Sequence, residues 1–235
     1  MGLHETSIFF QKNHYRHYFL CHYLPLGDGV DTLSRSLLKF KHGRQPDLDA
    51  WLDWSVKSLD DLAPRLPAHT IIIRALRHKE TRPAPGLPCP LDLLGQSLSR
   101  HLHFPYLPGL LQKTRPTTSS QSLTLRERQA ELVGVYQINT AALIPAALIP
   151  AASRTPDTPI PAGSHTPATP IPPPDAAPST NPAAAPNTPA QHTPSSLLLI
   201  DDILTTGATI LSILTALQPT FPSATVNIFT LAKAG

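Results

Sequence analysis

The chain reads as an α/β protein, a mostly parallel twisted sheet flanked by helices, and three observations predict it. Leu197 to Ile200 is an apolar run bounded by polar groups, the pattern of a short strand buried on both faces of a parallel sheet. Thr70 to Ile73 is a second such run, rich in β-branched residues. Around these strands lie stretches of helical period, including Ile210 to Leu217 with apolar residues at 210, 213, 214 and 217.

Taken in order, the first thirty residues mix Glu5, Lys12, Arg16 and histidines with short apolar pairs, which is not a secretory signal. His4, His14, His17 and His22 follow no repeated ligand spacing, so no metal held by protein side chains is expected, and their aromatic neighbours point to a packed surface. Asp31 caps a helix running to Phe40, and the positive charge of Lys39, Lys41, His42 and Arg44 suits its carboxyl end. Asp47 to Leu62 is a second amphipathic helix, and Leu91 to Leu102 a third that Pro88 and Pro90 prevent from starting earlier. Between them, Arg74, Arg77, His78, Lys79 and Arg82 crowd the loop after the Thr70 strand, interrupted only by Glu80. Tyr106 and Leu107 begin an extended segment, Lys113, Arg115, Arg126 and Arg128 bracket a Ser/Thr-rich loop suited to a mobile cover, and Ala224 to Leu231 forms the last strand.

Thr140 to Pro194 differs in kind. Fifteen of the 28 prolines fall between Ala141 and Pro194, where only Arg154, Asp157 and Asp175 carry charge. Such a composition cannot bury enough apolar surface to offset its ordering entropy, so this insertion is expected to be disordered. The organisation predicted is a helical, hood-forming segment over 1–69, a first part of the sheet domain over 70–139, the insertion over 140–194, and the remainder of the domain over 195–235.

The chemistry concentrates after the Leu197 strand. Asp201 and Asp202 follow it at once, and Thr205, Thr206, Gly207, Ala208 and Thr209 lead into the next helix. Partnerless amides at a helix start, a glycine that lets backbone approach a ligand and three threonine hydroxyls make a nest for one phosphate monoester. Two carboxylates would repel that phosphate, so the ligand must offer them hydroxyls or a metal ion as well. A ribose 5-phosphate meets both demands. The chain lacks the Gly-Lys pair of a P-loop and the Gly-x-Gly-x-x-Gly of a dinucleotide fold at this point.

Residues 197–209, LLLIDDILTTGAT, resemble the phosphoribosyl pyrophosphate (PRPP) motif of type I phosphoribosyltransferases. The resemblance implies that fold, with a small hood, and implies that Asp201 and Asp202 contact the ribose hydroxyls while residues 205–209 hold the 5-phosphate. It also implies a pyrophosphate loop at Arg74, Ala75, Arg77 and Lys79, and a flexible loop carrying Lys113, Arg115 and Arg128. The order Lys113, Arg115, Thr117, Gln121, Leu123, Arg128, Gly134, Tyr136 is similar to the ComF-type, competence-associated branch. Two departures stand out: the cysteine-rich zinc element of many ComF-type proteins is absent, and Ile73-Arg74-Ala75-Leu76 replaces the usual Pro-Val-Pro.

The implied activity is transfer of phosphoribosyl from PRPP to a nitrogen nucleophile with release of pyrophosphate. Magnesium (Mg) would be held by substrate oxygens and water. The alternatives are a ComF-type PRPP sensor or DNA-uptake accessory without turnover, and an interaction scaffold working through the proline-rich segment. Nineteen basic against 16 acidic residues give no argument for nucleic acid, no apolar run has membrane-spanning length, and two distant cysteines fit reducing cytoplasm. A homodimer is compatible with all of this.

Overall fold

A computed structural model describes residues 2–24, 31–84, 86, 88–118, 123–143 and 194–234. Its main sheet has five strands: β1 (His4–Phe10), β2 (Asn13–Tyr23), β3 (Thr70–Arg74), β6 (Ser196–Leu204) and β7 (Thr225–Ala234). They lie in the order β1-β2-β7-β6-β3, with every neighbouring pair parallel except the edge hairpin β1–β2. The architecture is therefore α/β, with a mostly parallel mixed sheet flanked by helices.

Leu197, Leu198, Leu199 and Ile200 are completely buried because β6 has a strand on each side and an apolar layer on each face. On one face pack α1 (Thr32–Lys41), α2 (Asp47–Ser58) and α3 (Pro90–Leu102), whose Leu37, Phe40, Trp51, Leu94 and Leu98 meet Leu198 and Ile200. On the other, α5 (Ala208–Thr220) brings Ile210, Ile213, Leu214 and Leu217 against Leu197 and Leu199. The same layer continues under a small second sheet, β4 (Leu111–Lys113) antiparallel to β5 (Tyr136–Ile138), beside α4 (Leu125–Leu132). Among the described residues no helix is long and apolar enough to cross a membrane.

The expected helices at Asp31, Asp47 and Leu91 form within a few residues of those bounds, and Asp31 caps α1 by accepting from the Ser34 amide at 2.8 Å. Tyr106 makes a single parallel bridge to Ile72. Three expectations need correction. Residues 4–10 and 13–23 are strands, not helices: Tyr18 and Leu20 pack on one face of the sheet and Tyr15 on the other, and β2 pairs with β7 from Arg16 to Tyr23. The β6 strand does not stop at Ile200 but carries the acidic pair inside it, with Asp201 opposite Thr230. Part of the expected cover is the helix α4, closed by reciprocal hydrogen bonds between Thr124 and Glu127. Of the proline-rich insertion, Thr140–Leu143 form a short 3-10 turn; residues 144–193 lie outside the described residues.

Gly95 illustrates how tightly α3 meets the strand beside it. A Cβ there would come within 2.7 Å of three Tyr106 ring atoms, and that ring is pinned by its hydroxyl donating to Asp92 Oδ1 at 2.7 Å. Alanine ordinarily gains about 1 kcal/mol over glycine in a helix, whereas overpacking costs about 1 to 3 kcal/mol. Gly95→Ala is therefore expected to lower stability by about 1 kcal/mol in urea unfolding, and a gain would contradict this packing.

Candidate active site at the carboxyl end of the central strands

Parallel strands deliver their carboxyl ends to one edge, where ligands of open α/β sheets bind. Here that edge holds the ends of β3 and β6, the loop of residues 75–81, the last turn of α1 and the start of α5. The acidic pair divides between the two sides. Asp202 Oδ2 accepts from the Lys41 ammonium at 2.9 Å, while Asp201 lies within electrostatic reach of Lys113 and Tyr136. Each carboxylate also accepts the next residue's amide at 2.8 Å, Asp202 N–H to Asp201 and Ile203 N–H to Asp202. Burial pushes the Asp201 carboxyl well above the usual carboxylate range, and the Asp202 charge beside it adds to the shift.

Residues 205–209 form the turn into α5. Gly207 has φ of +75°, a left-handed conformation that favours glycine, and a Cβ there would meet nothing closer than 3.8 Å. Glycine is thus required here by backbone conformation rather than by crowding. Leu211 N–H makes the first helical bond, to Gly207 C=O at 2.9 Å, so the amides of Ala208, Thr209 and Ile210 precede any intrahelical acceptor. Thr205 and Thr206 are exposed beside them. This end of a thirteen-residue helix favours an anion.

The basic loop behaves differently from its expectation at two positions. Arg74 is completely buried and all five of its N–H donors are used, on Asp92 Oδ1 and Oδ2, Glu80 Oε1 and Oε2, and the Ala75 carbonyl. Burial opposes its charge, but Glu80 and Asp92 more than restore it. The Ala75 amide donates to Ile200 C=O at 2.9 Å. Neither residue has a donor left for pyrophosphate, so both are corrected to structural roles. Arg77, His78 and Lys79 are exposed. Burial and then the charges of Lys79, Lys113, Lys41 and Arg77 hold the His78 pKa down.

Of the expected flexible loop, Lys113 is buried on β4 and donates to Arg77 C=O at 2.8 Å and Thr117 Oγ1 at 3.3 Å. Its ammonium also lies 5.3 Å from the Tyr136 ring centre. Arg115 and Arg128 are not brought to the acids: Arg115 pairs with Glu131 at 2.9 Å, and Arg128 donates to Leu123 C=O. Gln121 lies outside the described residues.

Two metal possibilities can be tested on these contacts. Glu80, Cys89 and Asp92 approach one another at ligand spacing, but all four oxygens of the two carboxylates already accept from the Arg74 guanidinium, so a cation there would have to displace it. At the acidic pair, Asp202 is paired with Lys41, and burial raises the Asp201 pKa. That donor set fits a magnesium ion arriving on substrate oxygens and not one caged by protein.

Sequence reasoning missed Lys41, assigned only to the dipole of α1, and the Asp92–Glu80 partnership. A signal for the latter existed: an arginine ending the fully buried run TIIIR requires carboxylates, and Asp92 stands three residues after Cys89 at the start of α3. No protein-family model matches the chain, and no curated protein matches it.

Burial drives the Lys113 pKa down to about 8 despite the nearby Glu80 and Asp201. A lysine depressed below its unfolded value penalises the fold fully below its folded pKa, and the penalty fades as pH rises towards the unfolded pKa. The stability of the native chain relative to Lys113→Met is expected to rise between about pH 8 and 10.5 in urea titrations. A flat or falling difference would show that Lys113 is solvated.

Proposed function

We propose that the chain is a phosphoribosyltransferase of the type I, ComF-like kind, which binds PRPP with magnesium and transfers phosphoribosyl to a nitrogen nucleophile. One observation carries this reading: an acidic pair stands where the central strand β6 leaves the core, a few residues before a helix start with partnerless amides and threonines, and a cluster of cations lies beside it. A sugar with a vicinal diol, one terminal phosphate and one diphosphate matches those three features in kind and number.

On this reading Asp201 and Asp202 accept hydrogen bonds from the ribose 2- and 3-hydroxyls, and residues 205–209 take the 5-phosphate. Arg77, Lys79 and Lys113 line the side where pyrophosphate leaves. The lone pair of the nitrogen nucleophile forms the bond to ribose carbon 1 as the carbon–oxygen bond breaks, and pyrophosphate departs with that electron pair. Magnesium, when bound with the substrate, spreads the charge of the leaving group. A second reading, PRPP binding without turnover, is favoured by one observation: Arg74 and Ala75 spend their donors inside the protein, which leaves fewer contacts to activate the leaving group. Pyrophosphate release in a screen of nucleobases and ammonia separates the two.

Replacing both Asp201 and Asp202 by Asn keeps shape but removes two charge-assisted acceptors, each worth about 1.5 to 3 kcal/mol. PRPP affinity measured by calorimetry with magnesium is expected to fall at least about tenfold. Unchanged affinity in a folded double variant would remove the main support for the reading.

A further inference from the structure

We infer that Lys41 is a built-in counter-ion of the site: it holds Asp202 in the free protein, keeps a bare divalent cation out, and turns to the diphosphate when that ligand arrives. The inference rests on the proposed diphosphate-binding role and adds to it a residue and an order of events.

Four contacts lead to it. The Lys41 ammonium is 2.9 Å from Asp202 Oδ2, while the lysine side chain as a whole is 46 % exposed. Lys41 is the last residue of α1, and its carbonyl accepts from Arg77 Nη2 at 2.8 Å, which fastens that helix end to the basic loop. Arg77 in turn is fixed through its amide to Glu80 Oε2 at 2.8 Å and through its carbonyl, which accepts from Lys113 at 2.8 Å. The backbone under Lys41 is therefore anchored while its flexible four-carbon stem is free to redirect the charge.

Electrostatics gives the direction of the redirection. With Lys41 on Asp202, the acidic tip carries its own positive neighbour, and a divalent cation approaching that carboxylate meets an ammonium at contact distance. A diphosphate approaching the same edge meets Lys41, Arg77 and Lys113, which are joined through the Lys41 and Arg77 carbonyls, with exposed Lys79 on the same loop. The cation then enters on the diphosphate, whose charge outweighs the local repulsion. A lysine serving only to cap α1 would be indifferent to either ligand.

The test uses the full-length chain, with inorganic pyrophosphate plus magnesium and free Mn2+ as probes, read by calorimetry and by electron paramagnetic resonance. Lys41→Met is expected to weaken magnesium pyrophosphate binding at least about tenfold, the size of one charge-assisted contact, and to tighten free Mn2+ binding several-fold. Lys41→Arg, which keeps the charge, is expected to return both towards native values. Opposite movement of the two affinities is the signature, since a general structural defect weakens both. Parallel loss, or no change in either, would overturn the inference, as would native protein that binds Mn2+ as tightly as Lys41→Met. If Mn2+ binding tightens in Lys41→Met while PRPP itself does not bind the native chain, the counter-ion role stands and the phosphoribosyl reading falls.

Discussion

Burial of β6 on both faces is the constraint from which the rest of this structure follows. Four consecutive residues without solvent contact need a parallel neighbour on each side and an apolar layer above and below. The helices of the first half of the chain supply one layer and α5 the other. A strand so placed can carry charge only where it leaves the core, and the acidic pair stands there. Everything that touches Asp201 and Asp202 is brought in by elements whose main task is to cover β6.

The charges at that edge form two systems with different purposes. Arg74, Asp92 and Glu80, with the Tyr106 hydroxyl, make a closed network in which every guanidinium donor has an acceptor, and it fixes the path of the loop after β3. Removing one partner of such a buried set leaves an uncompensated charge, so its members are bound to structure. Lys41, Arg77, Lys79 and Lys113 form the open system, with exposure or donors still available for an incoming anion. The division explains why a loop that reads as uniformly basic in sequence contributes only part of its charge to the site.

Much of the fold was legible because its signals are local. The apolar runs at Thr70 and Leu197, the Asp31 cap and the leucine spacing from Leu91 each act within a few residues, and each element formed close to where it was expected. What was not legible depends on pairing across the chain. β1 and β2 pair with each other locally, but β2 joins the main sheet only through its register with β7, more than two hundred residues away. Lys41 looks like a helix-end charge until α1 packs beside β6, and Arg74 looks like a ligand contact until Asp92 arrives on α3. In the candidate site the acids and the threonine-glycine turn were contiguous and therefore readable, whereas the cations that face them come from three separate segments.

The central claim is that the edge formed by Asp201, Asp202 and residues 205–209 receives a phosphoribosyl group in one orientation. A crystal structure of the chain with PRPP and magnesium tests this most directly. The account predicts the ribose hydroxyls on Asp201 and Asp202, the 5-phosphate on the amides and hydroxyls of residues 205–209, and the diphosphate towards Arg77, Lys79 and Lys113. Density for the diphosphate in the threonine-glycine turn, or for the ligand anywhere away from the acidic pair, would contradict it.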